Sequence, residues 1–240
     1  MRFDPPDAYW KKDVALFFSR RFALVLKLLY PMAIIVPVAA SGMPAQYAAA
    51  VIGIVAVMAG TFGAGESLTI DLNDGILVRV ALTPLSPYRI IFEVLAVNAI
   101  LDLVQLLSAL LIVYLLHPLP LVWMLAAILA VFATLVTANC IGILIANFTS
   151  SPADVLLYAT VILFPLIYIS GFFRNQNPTG LLETLRGFVP FAYANDALKY
   201  VFGLTTGTTP LEVFAYPTII CAVLVFLVCL TAPRLLSQRL

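Results

Sequence analysis

The chain has 240 residues, of which 63% are hydrophobic and only 10% are charged, and its formal net charge is +1. Soluble globular domains carry about 25% charged residues, and a soluble protein could not cover this apolar excess with polar side chains. We therefore predict an integral membrane protein in contact with the lipid bilayer. The near-neutral charge indicates no nucleic-acid partner.

The sequence offers little that suits metal binding or covalent catalysis. Its single histidine, His117, precedes a proline, and its three cysteines lie in apolar stretches without metal-ligand spacing. It lacks a phosphate-binding G-x-x-x-x-G-K-[ST] loop, an H-E-x-x-H helix and a G-x-S-x-G turn. We predict no catalytic residue, no metal site and no enzymatic activity of the chain by itself.

Residues 7–20 form the first predicted element, a short basic helix. Trp10, Val14, Phe17 and Phe18 fall on one face of this helix. Such a helix usually lies flat among the lipid headgroups, and the alternative is a cytosolic helix packed on a partner. We expect no cleavable leader peptide before it, because the first ten residues are polar and contain prolines.

Six apolar segments follow, each near the roughly 20 residues that a helix needs to cross a bilayer. They are residues 22–41, 46–66, 87–116, 119–148, 152–173 and 210–232. Ser-Pro or Thr-Pro pairs mark the starts of three of them, because a capping side chain often precedes a proline at the first helical position. Small residues recur every four positions in the second and fourth segments, which indicates close helix packing. The prediction is an all-α, multi-pass bundle of six spans that forms a single transmembrane domain over residues 1–240.

Lysine and arginine are unevenly divided between the two sides of this bundle. If the termini are cytoplasmic, nine of these residues fall in cytoplasmic segments and three in outer segments. Positive residues concentrate on the cytoplasmic side of membrane proteins. We therefore expect a plasma-membrane protein with both termini in the cytoplasm.

Four ionisable residues fall within or near the predicted spans, where each is costly and needs a partner. Lys27, Glu66 and Glu93 can share one depth in the inner leaflet, so Lys27 is expected to pair with Glu66 or Glu93. The alternative is that Lys27 extends alone to the headgroups. Asp102 lies nearer the middle of the membrane, where it either bonds to another helix or contacts a substrate. These residues form a predicted intramembrane polar network.

The segment between the second and third spans is the most informative part of the chain. Residues 74–84 suit a short amphipathic helix on the cytoplasmic face, which Thr83-Pro84 ends and which the next span follows at Pro87. A stiff cytosolic helix with sharp corners at both ends can transmit a push from a soluble partner into the membrane helices.

Two stretches of the sequence resemble one known family. The first runs from Asp71 to Leu77 as Asp-Leu-Asn-Asp-Gly-Ile-Leu and is followed by Leu82-Thr83-Pro84-Leu85-Ser86. It is similar to the acidic run, Gly-Thr-Leu and Leu-x-Thr-Pro-x-Ser of the type-2 permease family of ABC transporters, whose structures show the type V exporter fold. The second, Val189 to Leu198, resembles that family's Asn-Pro-Leu stretch within an outer segment, here residues 174–209, that carries short helices.

The resemblance implies an assembly. A second permease chain, identical or homologous, and a separate P-loop ATPase subunit would join this chain in the bilayer. ATP and Mg would bind to the ATPase, and this chain would hold no cofactor. The resemblance also implies residue roles: ATPase coupling by Asp71, Asp74, Gly75, Leu77, Val80, Leu82, Thr83 and Pro84, and a possible substrate path along Thr61, Phe62, Phe164 and Tyr168.

By the same resemblance, the chain would export a drug-like, antibiotic or lipid-like substrate by alternating access. Short outer loops, without a docking feature for a soluble binding protein, favour export over import, and polysaccharide export is the runner-up cargo. The main alternative is an ion-coupled secondary transporter or channel, in which Asp102, Glu93 and Lys27 would form a relay. A membrane enzyme is the third possibility.

Overall fold

The computed structural model describes residues 9–19, 21–42, 44–77, 86–118, 120–173, 180–203 and 210–237. Within these ranges the protein is almost entirely α-helical and contains no strand, which confirms the predicted fold class. In chain order the helices are α1 (Tyr9–Ser19), α2 (Arg21–Ala40), α3 (Ala45–Asn73), α4 (Pro87–Leu116), α5 (Leu121–Ala146), α6 (Pro152–Ser170), α7 (Leu181–Arg186), α8 (Pro190–Val201) and α9 (Pro210–Ser237).

Five of these helices, α3 to α6 and α9, are each long and apolar enough to cross a membrane. The number rises to six if α1 and α2, which are bent by 81° relative to each other, are counted as one broken span. The sequence predicts these two helices as separate elements, an interfacial helix over 7–20 and a first span over 22–41. The structure therefore contains five or six candidate spans among its described residues.

Side-chain caps define the starts of α4 and α6. The Ser86 hydroxyl accepts a hydrogen bond from the Arg89 amide (3.3 Å), and the Ser151 hydroxyl accepts one from the Asp154 amide (3.2 Å). Both helices have proline at their first position, where its missing N–H costs nothing. α6 ends before Gly171, whose φ of 81° suits glycine.

Two helices extend beyond their predicted ends. α3 continues to Asn73 rather than stopping at residue 66, because Leu68 and Leu72 remain buried in a core shared with α4. α9 continues to Ser237, with Pro233 inside it rather than at its end. Proline removes one hydrogen bond from a helix but does not always end it.

α3 and α5 make the most extensive helix–helix contact in the described structure. Their small residues meet: a Cβ atom added at Gly60 would lie 2.8 Å from the Ala138 Cβ, and one at Gly65 would lie 3.0 Å from the Gly142 carbonyl oxygen. Gly142 itself lies directly against the Thr61 carbonyl oxygen. The rows of small residues thus bring the two backbones together, which is how helices associate in lipid.

The two short helices α7 and α8 pack at the end of α6. The Asn195 side-chain amide donates to the Ser170 carbonyl oxygen (3.1 Å), and the Lys199 ammonium donates to that of Gly171 (3.2 Å). An ion pair between Arg186 and Asp196 joins α7 to α8. These contacts fix α8 across the end of the bundle.

Candidate functional site

A cavity of about 680 Å³ lies between α1, α2, α3 and α4. Its lining on α3 extends from Ala59 to Asp74, a rise of about 22 Å along the helix axis. The cavity therefore reaches from the C-terminal end of α3 to the middle of the helix. The other lining residues are Lys12, Asp13, Phe17, Lys27, Tyr30, Phe62, Gly63, Glu66, Ser67, Ile70, Asp71, Asn98, Leu101, Asp102 and Gln105.

An ion-pair cluster at the mouth of the cavity joins α1 to α3. The Lys12 ammonium contacts both carboxylate oxygens of Asp71, and it lies 3.3 Å from Oδ1 of Asp13. All three side chains are largely buried. Paired and hydrogen-bonded charges of this kind hold helices in one register. Lys12 thus fixes α1 against the end of α3.

Asp102 lies at the inner end of the cavity and is only 6% exposed. Its carboxylate faces α3 at Gly63, where an added Cβ atom would lie 3.4 Å from Oδ1. The Gln105 amide donates to the same oxygen at 3.4 Å. Glycine at position 63 therefore leaves room for a carboxylate deep in the bundle, where ionisable groups are costly and usually have a role.

The predicted pairing of Lys27 with Glu66 or Glu93 differs from the structure. Glu93 forms an ion pair with Arg89, one turn earlier on α4, at 2.8 Å, and it does not line the cavity. The Lys27 ammonium lies 5.4 Å from the centre of the Phe17 ring, within cation–π range. Among the described residues, no ion pair within 4.0 Å joins Lys27 to Glu66. The cavity does bring together Lys27, Glu66 and Asp102.

A buried amide next to the cavity connects three helices. With its nitrogen facing α3, Asn139 of α5 donates to the Gly60 carbonyl oxygen (2.6 Å), and its oxygen accepts from the Ala99 amide of α4 (2.9 Å). Asn139 is fully buried. A satisfied buried amide holds its neighbours in one geometry, so this contact fixes the cavity wall formed by α3 and α4.

Four of the predicted coupling residues, Asp71, Asp74, Gly75 and Leu77, lie at or next to the corner, which is the turn that follows α3 at residues 74–75. Asp74 is exposed, and Gly75 has a φ of 65°, a left-handed conformation that favours glycine. Asn73 donates to the Ser150 carbonyl oxygen (3.0 Å), which connects the corner to the loop before α6. Leu77 is fully buried in the core with Ile90, so it supports the corner from inside rather than presenting a contact surface. Val80, Leu82, Thr83 and Pro84 lie outside the described residues.

The structure separates the four residues of the predicted substrate path. Thr61 is buried, with its carbonyl oxygen against Gly142 of α5. Phe62 lines the cavity, and it also packs against a buried cluster that includes residues of α6. Phe164 and Tyr168 are exposed on the outer surface of α6, at 63% and 51%. Of the four, only Phe62 reaches the cavity.

Sequence reasoning did not assign Lys12 or Asp13 to the site. Lys12 pairs with a residue 59 positions later, and a single sequence carries no signal for such a contact. The i, i+4 spacing of Arg89 and Glu93, by contrast, is a readable ion-pair signal. Among the described residues, no group of three or more His, Cys, Asp or Glu is arranged to hold a metal ion.

Apolar helices that can cross a bilayer, with a cavity of charged and apolar residues between them, are the features of a multi-pass membrane protein. Residues 8–203 match the family model described as ABC-2 type transporter. The chain belongs to this family, which confirms the resemblance seen in the sequence. A comparison with curated proteins finds no significant match. Family membership implies a partner ATPase and residence in a membrane.

Proposed function

We propose that the chain is the permease subunit of an ABC exporter. In this assembly a separate P-loop ATPase subunit binds ATP and Mg, and its hydrolysis of ATP drives alternating access. The substrate moved outward is drug-like, antibiotic or lipid-like. The match of residues 8–203 to the ABC-2 family, which includes the α3 corner and the helices around the cavity, is the observation that carries the proposal.

The geometry of the corner supports coupling to a soluble partner. Exposed Asp74 and the left-handed Gly75 form a tight turn, and Leu77 anchors the chain after the turn in the core shared by α3 and α4. Force applied at this turn therefore acts directly on two membrane helices. With both termini cytoplasmic, as the lysine and arginine distribution favours, the turn faces the compartment that contains ATP.

A second permease chain completes the proposed transporter. α6 exposes a row of large apolar side chains at its surface: Leu157, Val161, Phe164 and Tyr168. Exposed apolar positions at helical spacing, with a tyrosine and a phenylalanine among them, suit contact with another chain as well as with lipid. We propose that this face meets an identical or homologous chain.

The proposal is tested by co-expressing the chain with candidate P-loop ATPases and purifying the complex. We expect the permease to copurify with one ATPase and to alter its rate of ATP hydrolysis. Asp74→Arg should reduce this effect at least about tenfold, because reversing a charge at an interface costs several kcal/mol. Glu183→Arg, an exposed charge reversal on α7 at the opposite end of the bundle, is the matched control and should behave like the wild type.

Two results would contradict the proposal. One is transport by the purified chain alone, driven by an ion gradient in ATP-free vesicles, which would favour a secondary transporter or channel. The other is an equal loss of ATPase coupling in Asp74→Arg and Glu183→Arg, which would show that the corner is not the specific site of contact with the ATPase.

A further inference from the structure

We propose that the cavity between α1, α2, α3 and α4 is a binding site for hydrophobic organic cations, with Asp102 as its innermost charge. This inference rests on the proposed function, because it names the substrate class that the permease would take from the inner half of the membrane.

The charges that line the cavity are predominantly negative. Among the described residues, five carboxyl groups and two lysines line it, an excess of three acidic groups. The carboxylates belong to Asp13, Glu66, Asp71, Asp74 and Asp102. Apolar walls focus such a field inside a cavity and raise the local concentration of ions of the opposite sign.

The two lysines offset this field only in part. The Lys12 ammonium contacts Asp71 and Asp13 at the mouth, and the Lys27 ammonium lies over the Phe17 ring. The second carboxylate oxygen of Asp13, Oδ2, has no hydrogen-bond partner among the described residues, although the side chain is nine-tenths buried. A buried carboxylate oxygen without a partner is costly, and it adds to the negative field inside the cavity.

The remaining lining suits the apolar body of such a ligand. Phe17, Tyr30 and Phe62 contribute aromatic rings, and Ile70 and Leu101 contribute aliphatic surface. Aromatic faces attract cations, and a volume of about 680 Å³ falls within the range of sites for drug-sized ligands. A hydrophobic cation can thus place its apolar groups against the rings while its charge faces Asp102.

The test uses two ions of nearly identical shape and opposite charge, tetraphenylphosphonium and tetraphenylborate. Binding of each is measured by equilibrium dialysis with the purified full-length permease in a neutral detergent. We expect tetraphenylphosphonium to bind at least about tenfold more tightly than tetraphenylborate, because the excess charge attracts one ion and repels the other. Equal affinity for both ions would overturn the proposal.

Two variants locate the charge that is responsible. Asp102→Asn keeps the size of the side chain and should weaken tetraphenylphosphonium binding about tenfold. Glu93→Gln removes a carboxylate from the same helix outside the cavity and should leave binding unchanged. Glu66→Gln alters an exposed lining residue and should weaken binding in the same direction, even if Asp102→Asn fails to fold. Wild-type affinity in Glu66→Gln and in folded Asp102→Asn would refute the site.

This experiment is independent of the test for ATPase coupling. Charge-selective binding without a coupled ATPase would support the cation site and contradict the proposal that the chain is part of an ABC exporter. ATPase coupling without charge-selective binding would support the exporter and contradict the proposed substrate class.

Discussion

Gly142 is a residue at which two membrane helices, α3 and α5, meet backbone to backbone. It lies against the backbone carbonyl of Thr61, and a Cβ atom at this position would overlap that carbonyl. Because the obstacle is backbone rather than a flexible side chain, α3 and α5 would have to separate to accommodate a methyl group. The position therefore requires glycine for steric reasons alone.

We expect Gly142→Ala to destabilise the protein by about 1–3 kcal/mol, the usual cost of overpacking a well-packed interior. The measurement is the thermal unfolding midpoint of the purified permease in detergent. Gly187→Ala is the control, since its added Cβ would meet only the Thr184 carbonyl oxygen at 3.4 Å, an ordinary contact. Equal midpoints for the two variants would show that the α3–α5 contact is looser than described.

At the residue scale, the sequence predicted the membrane depth of the ionisable residues better than it predicted their ion-pair partners. It placed Lys27, Glu66 and Asp102 near the membrane, and they do share one cavity. It did not predict that Glu93 faces Arg89 instead. The Arg89–Glu93 pair lies within one helix, and its spacing is readable in the sequence. A partner on another helix depends instead on the rotation of both helices, which tertiary packing sets.

At the scale of the elements, helix starts were easier to predict than helix ends. Ser86-Pro87 and Ser151-Pro152 begin α4 and α6 at the expected residues, because caps and N-terminal prolines act locally. The end of α3 at Asn73 was missed by seven residues, because buried contacts with α4 extend it past the apolar run. Capping residues and prolines at a helix start can be recognised in a sequence. The extension of a helix by tertiary contacts cannot.

The short helices α7 and α8 contain two titratable residues whose pKa values are shifted by burial. Burial raises the pKa of Asp196, although Arg186 and Lys199 act in the opposite direction. Burial likewise lowers the pKa of Lys199, against the effect of Asp196. An acid whose pKa is raised on folding adds stability below its unfolded pKa, and that stability is lost as pH rises through the folded pKa.

The difference in unfolding midpoint between the wild type and Asp196→Asn should therefore depend on pH. We expect the wild type to lose stability relative to the variant as pH rises above about 4, the ordinary pKa of an aspartate. Only the wild type has a buried carboxyl that must ionise in the folded protein. Thermal unfolding in detergent across this range provides the measurement. Glu183→Gln, an exposed carboxyl on α7, is the control, and a pH-independent difference for Asp196→Asn would contradict the burial effect.

At the scale of the whole molecule, α6 and α9 have the smallest shares of buried residues among the five unbroken candidate spans that the structure describes. Val161 on α6 and Val223 on α9 are similarly exposed, at 64% and 52%. The proposed second chain would cover the α6 face and leave α9 to lipid. Val161 and Val223 therefore allow a matched comparison of the two faces, the one proposed to meet the second chain and the one proposed to face lipid.

In a background with Cys140, Cys221 and Cys229 replaced, we expect Val161→Cys to form an intermolecular disulfide in oxidised membranes. Val223→Cys should remain monomeric under the same conditions, because a disulfide needs Cα atoms within about 7 Å of each other. Non-reducing electrophoresis distinguishes the two products. Cross-linking through Val223 alone would place the partner chain on the other side of the bundle.

The helical bundle and its membrane location were predictable from composition and apolar length, because lipid admits few other folds. The cavity was not predictable, since it depends on how α1 folds back onto α3 through Lys12 and Asp71. The family resemblance pointed to the corner after α3, but it did not separate exposed Asp74 from buried Leu77.

The glycine contact between α3 and α5 also has a mechanical consequence. Helices that meet backbone to backbone have no layer of adjustable side chains between them, so we expect α3 and α5 to move as one rigid body. α3 has 29 residues and is therefore about 44 Å long. A small tilt applied at Asn73 would become a displacement of several ångströms at the opposite end of α3. The side chains around the cavity, which are less tightly packed, would have to yield to that movement.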